Sequence, residues 1–154
     1  MRSIASLTAA WSRNPRVLRI VLGAYVMLLA VVGFFPSPVD RPIDSALSRI
    51  IQWCEQHGLG FITYTRVEFG ANIVLFIPLG MLLGLLFGTR RWWLAPVICF
   101  VATVLIELGQ GVLLPQRVAS PGDVIANTVG GLLGTLAAVG IMAVLARNSR
   151  AIES

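Results

Sequence analysis

The chain contains no lysine; all 12 of its basic residues are arginine. Charge of either sign is scarce, at 12% of residues, while 56% are hydrophobic and the mean hydropathy is +0.83. An ordinary soluble domain carries about 25% charged residues, so this balance excludes one and places the chain in a membrane. There is one histidine, His57, and there are two cysteines, Cys54 and Cys99, with no paired or metal-ligand spacing. That scarcity leaves no His–Glu-x-x-His zinc helix and no Cys–His couple, and no Gly-x-Ser-x-Gly elbow is present. No metal or cofactor is therefore expected. Both cysteines read as small buried hydrophobes, and Cys54, in an outer segment, is the one that would report topology. His57 reads as a surface residue.

The formal charge is +5, which in a soluble protein would raise nucleic acid as a partner. Here the arginines stand at the ends of apolar segments, so they set orientation in the membrane instead.

Four apolar segments cover about residues 17–36, 71–88, 92–114 and 124–146, each near the ~20 residues that cross a hydrocarbon core. Lipid cannot satisfy an open backbone, so all four must be helices. The first follows a basic start but lacks an Ala-x-Ala site, which favours an uncleaved span over a signal peptide. Arg2, Arg13 and Arg16 precede span one with Arg19 at its very start, Arg90 and Arg91 separate spans two and three, and Arg147 and Arg150 follow span four. With four spans these regions share one side, which is expected to be cytoplasmic together with both termini. The expected fold is thus all-α, a single membrane domain over 1–154 built as a four-helix bundle. Between spans one and two, about residues 42–57 form a short amphipathic helix on the outer side, with Ile43, Leu47, Ile50, Ile51 and Cys54 at helical spacing. It can lie on the leaflet with Trp53 at the interface or cap the bundle.

Polar residues interrupt the spans in pairs. Glu68 and Asn72 are four apart at the outer end of span two, Glu107 and Gln110 three apart in the outer half of span three, and Asp123 and Asn127 four apart at the start of span four. Each pair occupies one helix face. The same faces continue in small residues, Gly80, Gly84 and Gly88 on one helix and Gly130, Gly131 and Gly134 on another, which let membrane helices approach closely. The polar faces should therefore point into the bundle. Pro78 removes one backbone hydrogen bond from the middle of span two. A carboxylate within the membrane is costly unless paired, protonated or hydrated. Glu107 is the deepest of them, with Arg66 and Arg117 as its nearest candidate cations. Ser120-Pro121-Gly122-Asp123 reads as a turn leading into a helix N-cap.

The runs "EFGANIVLFIPLG", "IELGQ" and "RVASPGDVIANTVGGLLG" resemble the VanZ-like family of bacterial membrane proteins. The pattern is Asn then Phe-x-Pro-x-Gly, Glu-x-x-Gln, Arg, Asp and Asn-x-x-Gly, in order over about residues 66–135. The first span and the amphipathic segment carry no matching motif. The resemblance implies a multi-pass protein of the bacterial cytoplasmic membrane, associated with resistance to glycopeptide antibiotics, teicoplanin in particular. Its polar signature here is Glu68, Asn72, Glu107, Gln110, Arg117, Asp123 and Asn127.

Three functions compete. In the first, an outward-facing pocket lined by Arg66, Glu68, Asn72, Glu107, Gln110, Arg117, Asp123 and Asn127 binds an amphiphile of the cell envelope, a lipid-linked wall precursor or a lipoglycopeptide. Arg66 and Arg117 would pair with phosphate or carboxylate, the amides would meet sugar or peptide groups, and Glu107 and Asp123 would orient the arginines or meet ammonium groups. In the second, Glu68, Glu107 and Asp123 supply a general acid and base to a hydrolase or transferase on an envelope lipid. Transport is the third; four spans with no inverted repeat and no polar stripe reaching the inner face argue against it.

Overall fold

The computed structural model describes the backbone of residues 15–34, 40–113 and 120–153, with side chains in 15–34, 47–113 and 120–148. These residues form five α-helices: α1 (Pro15–Phe34), α2 (Asp40–Gln56), α3 (Tyr64–Phe87), α4 (Leu94–Leu113) and α5 (Pro121–Glu153). Four of them, α1, α3, α4 and α5, are long and apolar enough to cross a bilayer.

Local chemistry sets the helix ends. Thr63 is extended (φ −108°, ψ 159°) and its Oγ1 accepts from Arg66 N at 3.4 Å, an N-cap that starts α3 at Tyr64. The helix therefore begins several residues before the apolar run near residue 71, and Glu68 and Asn72 both lie within it. Ser120 takes the same place before α5: its carbonyl accepts from Asp123 N at 3.0 Å and Val124 N at 3.3 Å. Pro121 then fills the first helical position, where its missing N–H has no cost. Gly88, expected to extend the small-residue stripe, instead ends α3. Its φ is +68°, and its N–H donates to the Gly84 carbonyl at 2.9 Å.

α3 and α5 pack most closely, and glycine is the reason. A Cβ on Gly80 would strike the Gly131 carbonyl, one on Gly130 the Ile73 carbonyl, and one on Gly134 the Ile77 carbonyl. Two backbones in direct contact gain dispersion that lipid tails would otherwise supply. The Thr135 hydroxyl, wholly buried, is shared between the Gly131 carbonyl at 2.8 Å and the Gly80 carbonyl of α3 at 3.2 Å. α4 joins this pair through Cys99, which is fully buried against Gly131. α1 leans on α3, where Leu29 enters a core with Phe76, Leu79, Leu83, Ala95 and Cys99. α3 runs unbroken through Pro78. One helix over, Tyr25 of α1 donates its hydroxyl to the Leu75 carbonyl at 2.7 Å, in the turn the proline disturbs.

The outward faces are apolar throughout. Ile20, Met27, Val74, Leu105 and Val112 are all more than 60% exposed, which water would not tolerate and acyl chains would. α2 differs: it touches α3 only lightly. Cys54 is 6% exposed while Ile50 and Trp53 are more than half exposed. The Trp53 ring stacks on His57 at 4.1 Å, and His57 Nδ1 donates to the Trp53 carbonyl at 2.7 Å. His57 is exposed, but Cys54 is not the accessible reporter that its place in an outer segment suggested, because its thiol faces inward.

Candidate functional site

Three helices deliver polar side chains to one cavity of about 200 Å³. α3 contributes Glu68 and Asn72, α4 contributes Glu107 and Gln110, and α5 contributes Asp123 and Asn127. The spacings read from the sequence explain the convergence. Each pair sits on one helix face, and the glycine contact of α3 with α5 turns two of those faces toward each other. α1 closes the cavity with Leu29, Val32 and Gly33.

The lining is graded. Glu68 is exposed, Asn72 and Asp123 are half-buried, and Glu107, Gln110 and Asn127 are 7%, 9% and 5% exposed. The mouth is thus acidic and open, and the floor is amide and carboxylate.

Each buried group has a partner of its own. Glu107 Oε2 accepts from the Ser120 backbone N–H at 2.9 Å. That donor is an otherwise unused amide just before α5, and the helix dipole favours a negative charge there. Gln110 Nε2 donates to the Gly33 carbonyl at 2.8 Å, near the end of α1. Asn127 Nδ2 donates to Thr103 Oγ1 at 2.8 Å. Asn127 Oδ1, by contrast, is buried and has no hydrogen-bond partner among the described residues.

Six of the eight residues singled out in the sequence therefore meet. Arg66 does not join them. It is exposed at the start of α3, and its Nη1 donates to the Phe61 carbonyl at 2.7 Å. Arg117 lies outside the described residues. No lysine, arginine or histidine is among the described residues that line the cavity. No three described His, Cys, Asp or Glu side chains come together closely enough to hold a metal ion.

The sequence reading missed Thr103, the Ser120 N–H and the Gly33 carbonyl. Thr103 was legible, four residues before Glu107 on the same face. The other two are backbone groups, and no side-chain pattern announces them.

Beside the cavity is a second, apolar groove of about 420 Å³ between α4 and α5, walled by Val104, Leu108, Pro121, Val124 and Ile125. Glu107 borders both spaces.

Four apolar helices folded around a polar cavity define a small polytopic membrane protein. The chain belongs to the VanZ/LLP1 family, a sequence model of which matches residues 22–145. That match reaches beyond the quoted motifs to take in most of α1 and all of α2. No curated protein and no solved structure matches the chain.

Proposed function

We propose that this protein binds the polar part of an envelope amphiphile in a cavity that opens toward the outer leaflet of the bacterial cytoplasmic membrane. The observation that carries the reading is the gathering of six polar side chains from three apolar helices around one cavity. Helices tied only to each other would need no such space. The outward direction rests on the arginine asymmetry, which puts the acidic mouth opposite the arginine-rich side. The apolar groove that meets the cavity at Glu107 suits the chain of the same molecule.

Size favours a headgroup. At about 200 Å³ the cavity is below the ~300–1,000 Å³ that encloses a drug-sized ligand. A lipid-linked wall precursor or a lipoglycopeptide such as teicoplanin would lodge one polar group there and leave its bulk outside.

Purified protein incubated with bacterial lipid extract and lipid-linked wall precursor, then analysed by mass spectrometry, tests this. Wild-type protein should retain an amphiphile that Glu107→Gln releases. Identical lipid profiles for the two proteins would end the reading. One observation favours an alternative, a hydrolase or transferase working through Glu107, Asp123 and Glu68. Glu107 is fixed by one oxygen, and its other oxygen has no protein partner among the described residues. A product of altered mass in the same experiment would favour catalysis.

A further inference from the structure

The contacts between helices fix the end of the bundle at which each segment lies. Gly80 packs beside Gly131, and Gly84 beside Thr135 and Ala138, so α3 and α5 run the same way. Asn127 meets Thr103 and the Ser120 amide meets Glu107, so α4 runs opposite to them. α1 runs with α4, its Tyr25 against Leu75 of α3 and its Gly33 against Gln110 of α4. The start of α1, the turn between α3 and α4, and the last turns of α5 therefore share one end, away from the mouth of the cavity.

Five described arginines gather at that end, all exposed: Arg16 and Arg19 at the start of α1, Arg90 and Arg91 in the turn, and Arg147 late in α5. Arg16 and Arg19, three apart, share one helix face. Backbone bonds hold the turn. The Gly88 N–H donates to the Gly84 carbonyl at 2.9 Å, and the Leu94 and Ala95 N–H groups donate to the Arg91 and Trp92 carbonyls, each at 3.1 Å. Trp92 and Trp93, next in the chain, are 37% and 54% exposed, and such rings favour the boundary between headgroups and acyl chains. Counter-charge is scarce here in the sequence itself. Six of the seven acidic residues, from Asp40 to Asp123, belong to α2 or line the cavity. Only Glu153, three residues after Arg150, belongs to this end.

We propose that this end is a binding surface for anionic phospholipid, its arginines engaging the phosphates of the leaflet they face. Arginine stays charged and can grip phosphate oxygens through two parallel N–H bonds. Basic groups between membrane helices collect anionic headgroups in this way. A zwitterionic lipid offers the same phosphate but brings its own cation, which the arginines repel. The tryptophans decide the source: they place Arg90 and Arg91 at headgroup depth, where the phosphate they meet belongs to lipid. The proposal is independent of what the cavity binds.

The test is native mass spectrometry of the full chain in uncharged maltoside micelles, offered phosphatidylglycerol and phosphatidylcholine with the same chains in equal amounts. Phosphatidylglycerol should be retained about tenfold or more over phosphatidylcholine. Arg91→Gln and Arg147→Gln should each lower that preference about fivefold; they lie on different elements, so a local folding defect in one would not explain the other. Arg66→Gln, at the opposite end, should leave it unchanged. Equal retention of the two lipids, or an equal loss in Arg66→Gln, would overturn the proposal. Loss of the preference in Glu107→Gln with both arginine variants unaffected would place the lipid in the cavity and overturn it as well. Displacement of phosphatidylglycerol by an equal concentration of inorganic phosphate would assign the arginines to a soluble anion and overturn the choice of lipid.

Discussion

Asn127 is held by one of its two amide atoms. Its Nδ2 reaches Thr103, and its Oδ1 has no hydrogen-bond partner among the described residues. A single interhelical bond in a membrane contributes about 0.6 kcal/mol on average, whereas orphaning a buried amide costs about 1–3 kcal/mol. The second effect should dominate when Thr103 is changed. Thr103→Val is expected to destabilise the bundle by about 1–3 kcal/mol. Adding Asn127→Leu should recover part of that loss, because it removes the orphan as well. Thermal unfolding of the two singles and the double in one detergent reads the coupling, and strict additivity would refute it. At this scale the sequence was informative about side chains that repeat at three or four residues. It was silent about acceptors and donors on the backbone, so Gly33 and Ser120 stayed hidden. Arg66 was misplaced for a related reason: a long side chain at a helix start can reach back to a carbonyl of the preceding turn, here that of Phe61.

The helix pair α3–α5 sets where everything else goes. Its contact is made by backbone, so an added methyl has nowhere to move. Gly134→Ala should separate the helices, since its Cβ would meet the Ile77 carbonyl. Overpacking of this kind costs about 1–3 kcal/mol. Gly140, on the same helix with open space around it, is the control, and Gly140→Ala should be neutral or slightly stabilising. The comparison is read as folded fraction after heating; equal losses at both positions would mean that the close approach is not what holds the pair. The glycine stripes were visible in the sequence because small residues four apart have one common use in membranes. Gly88 was assigned to the stripe wrongly, since spacing cannot distinguish a packing glycine from one that ends a helix at positive φ. The start of α3 was also unclear, because residues 64–70, with Thr65, Arg66 and Glu68 among them, belong to the same helix as the apolar run and only the Thr63 cap marks its beginning.

For the molecule as a whole, four spans and eight of 12 arginines at three of the connecting or terminal regions predict an orientation that can be measured. Gln52 is exposed on α2. Gln52→Cys, with Cys54 and Cys99 replaced by alanine, should react with an impermeant maleimide in intact cells. Reaction only after lysis would invert the topology and turn the cavity mouth to the cytoplasm. The architecture was legible in advance because hydropathy over ~20 residues reports spanning helices directly. The role of α1 was not, since it enters the site through aliphatic walls and a carbonyl, which no motif encodes.

Glu107 stands at the seam between the polar cavity and the apolar groove, and this determines how a guest with a chain would arrive. It would slide in sideways from the surrounding leaflet, its tail never leaving oil. Loading would then follow the guest's mole fraction in that two-dimensional reservoir, and dilution of the aqueous phase would not empty the protein.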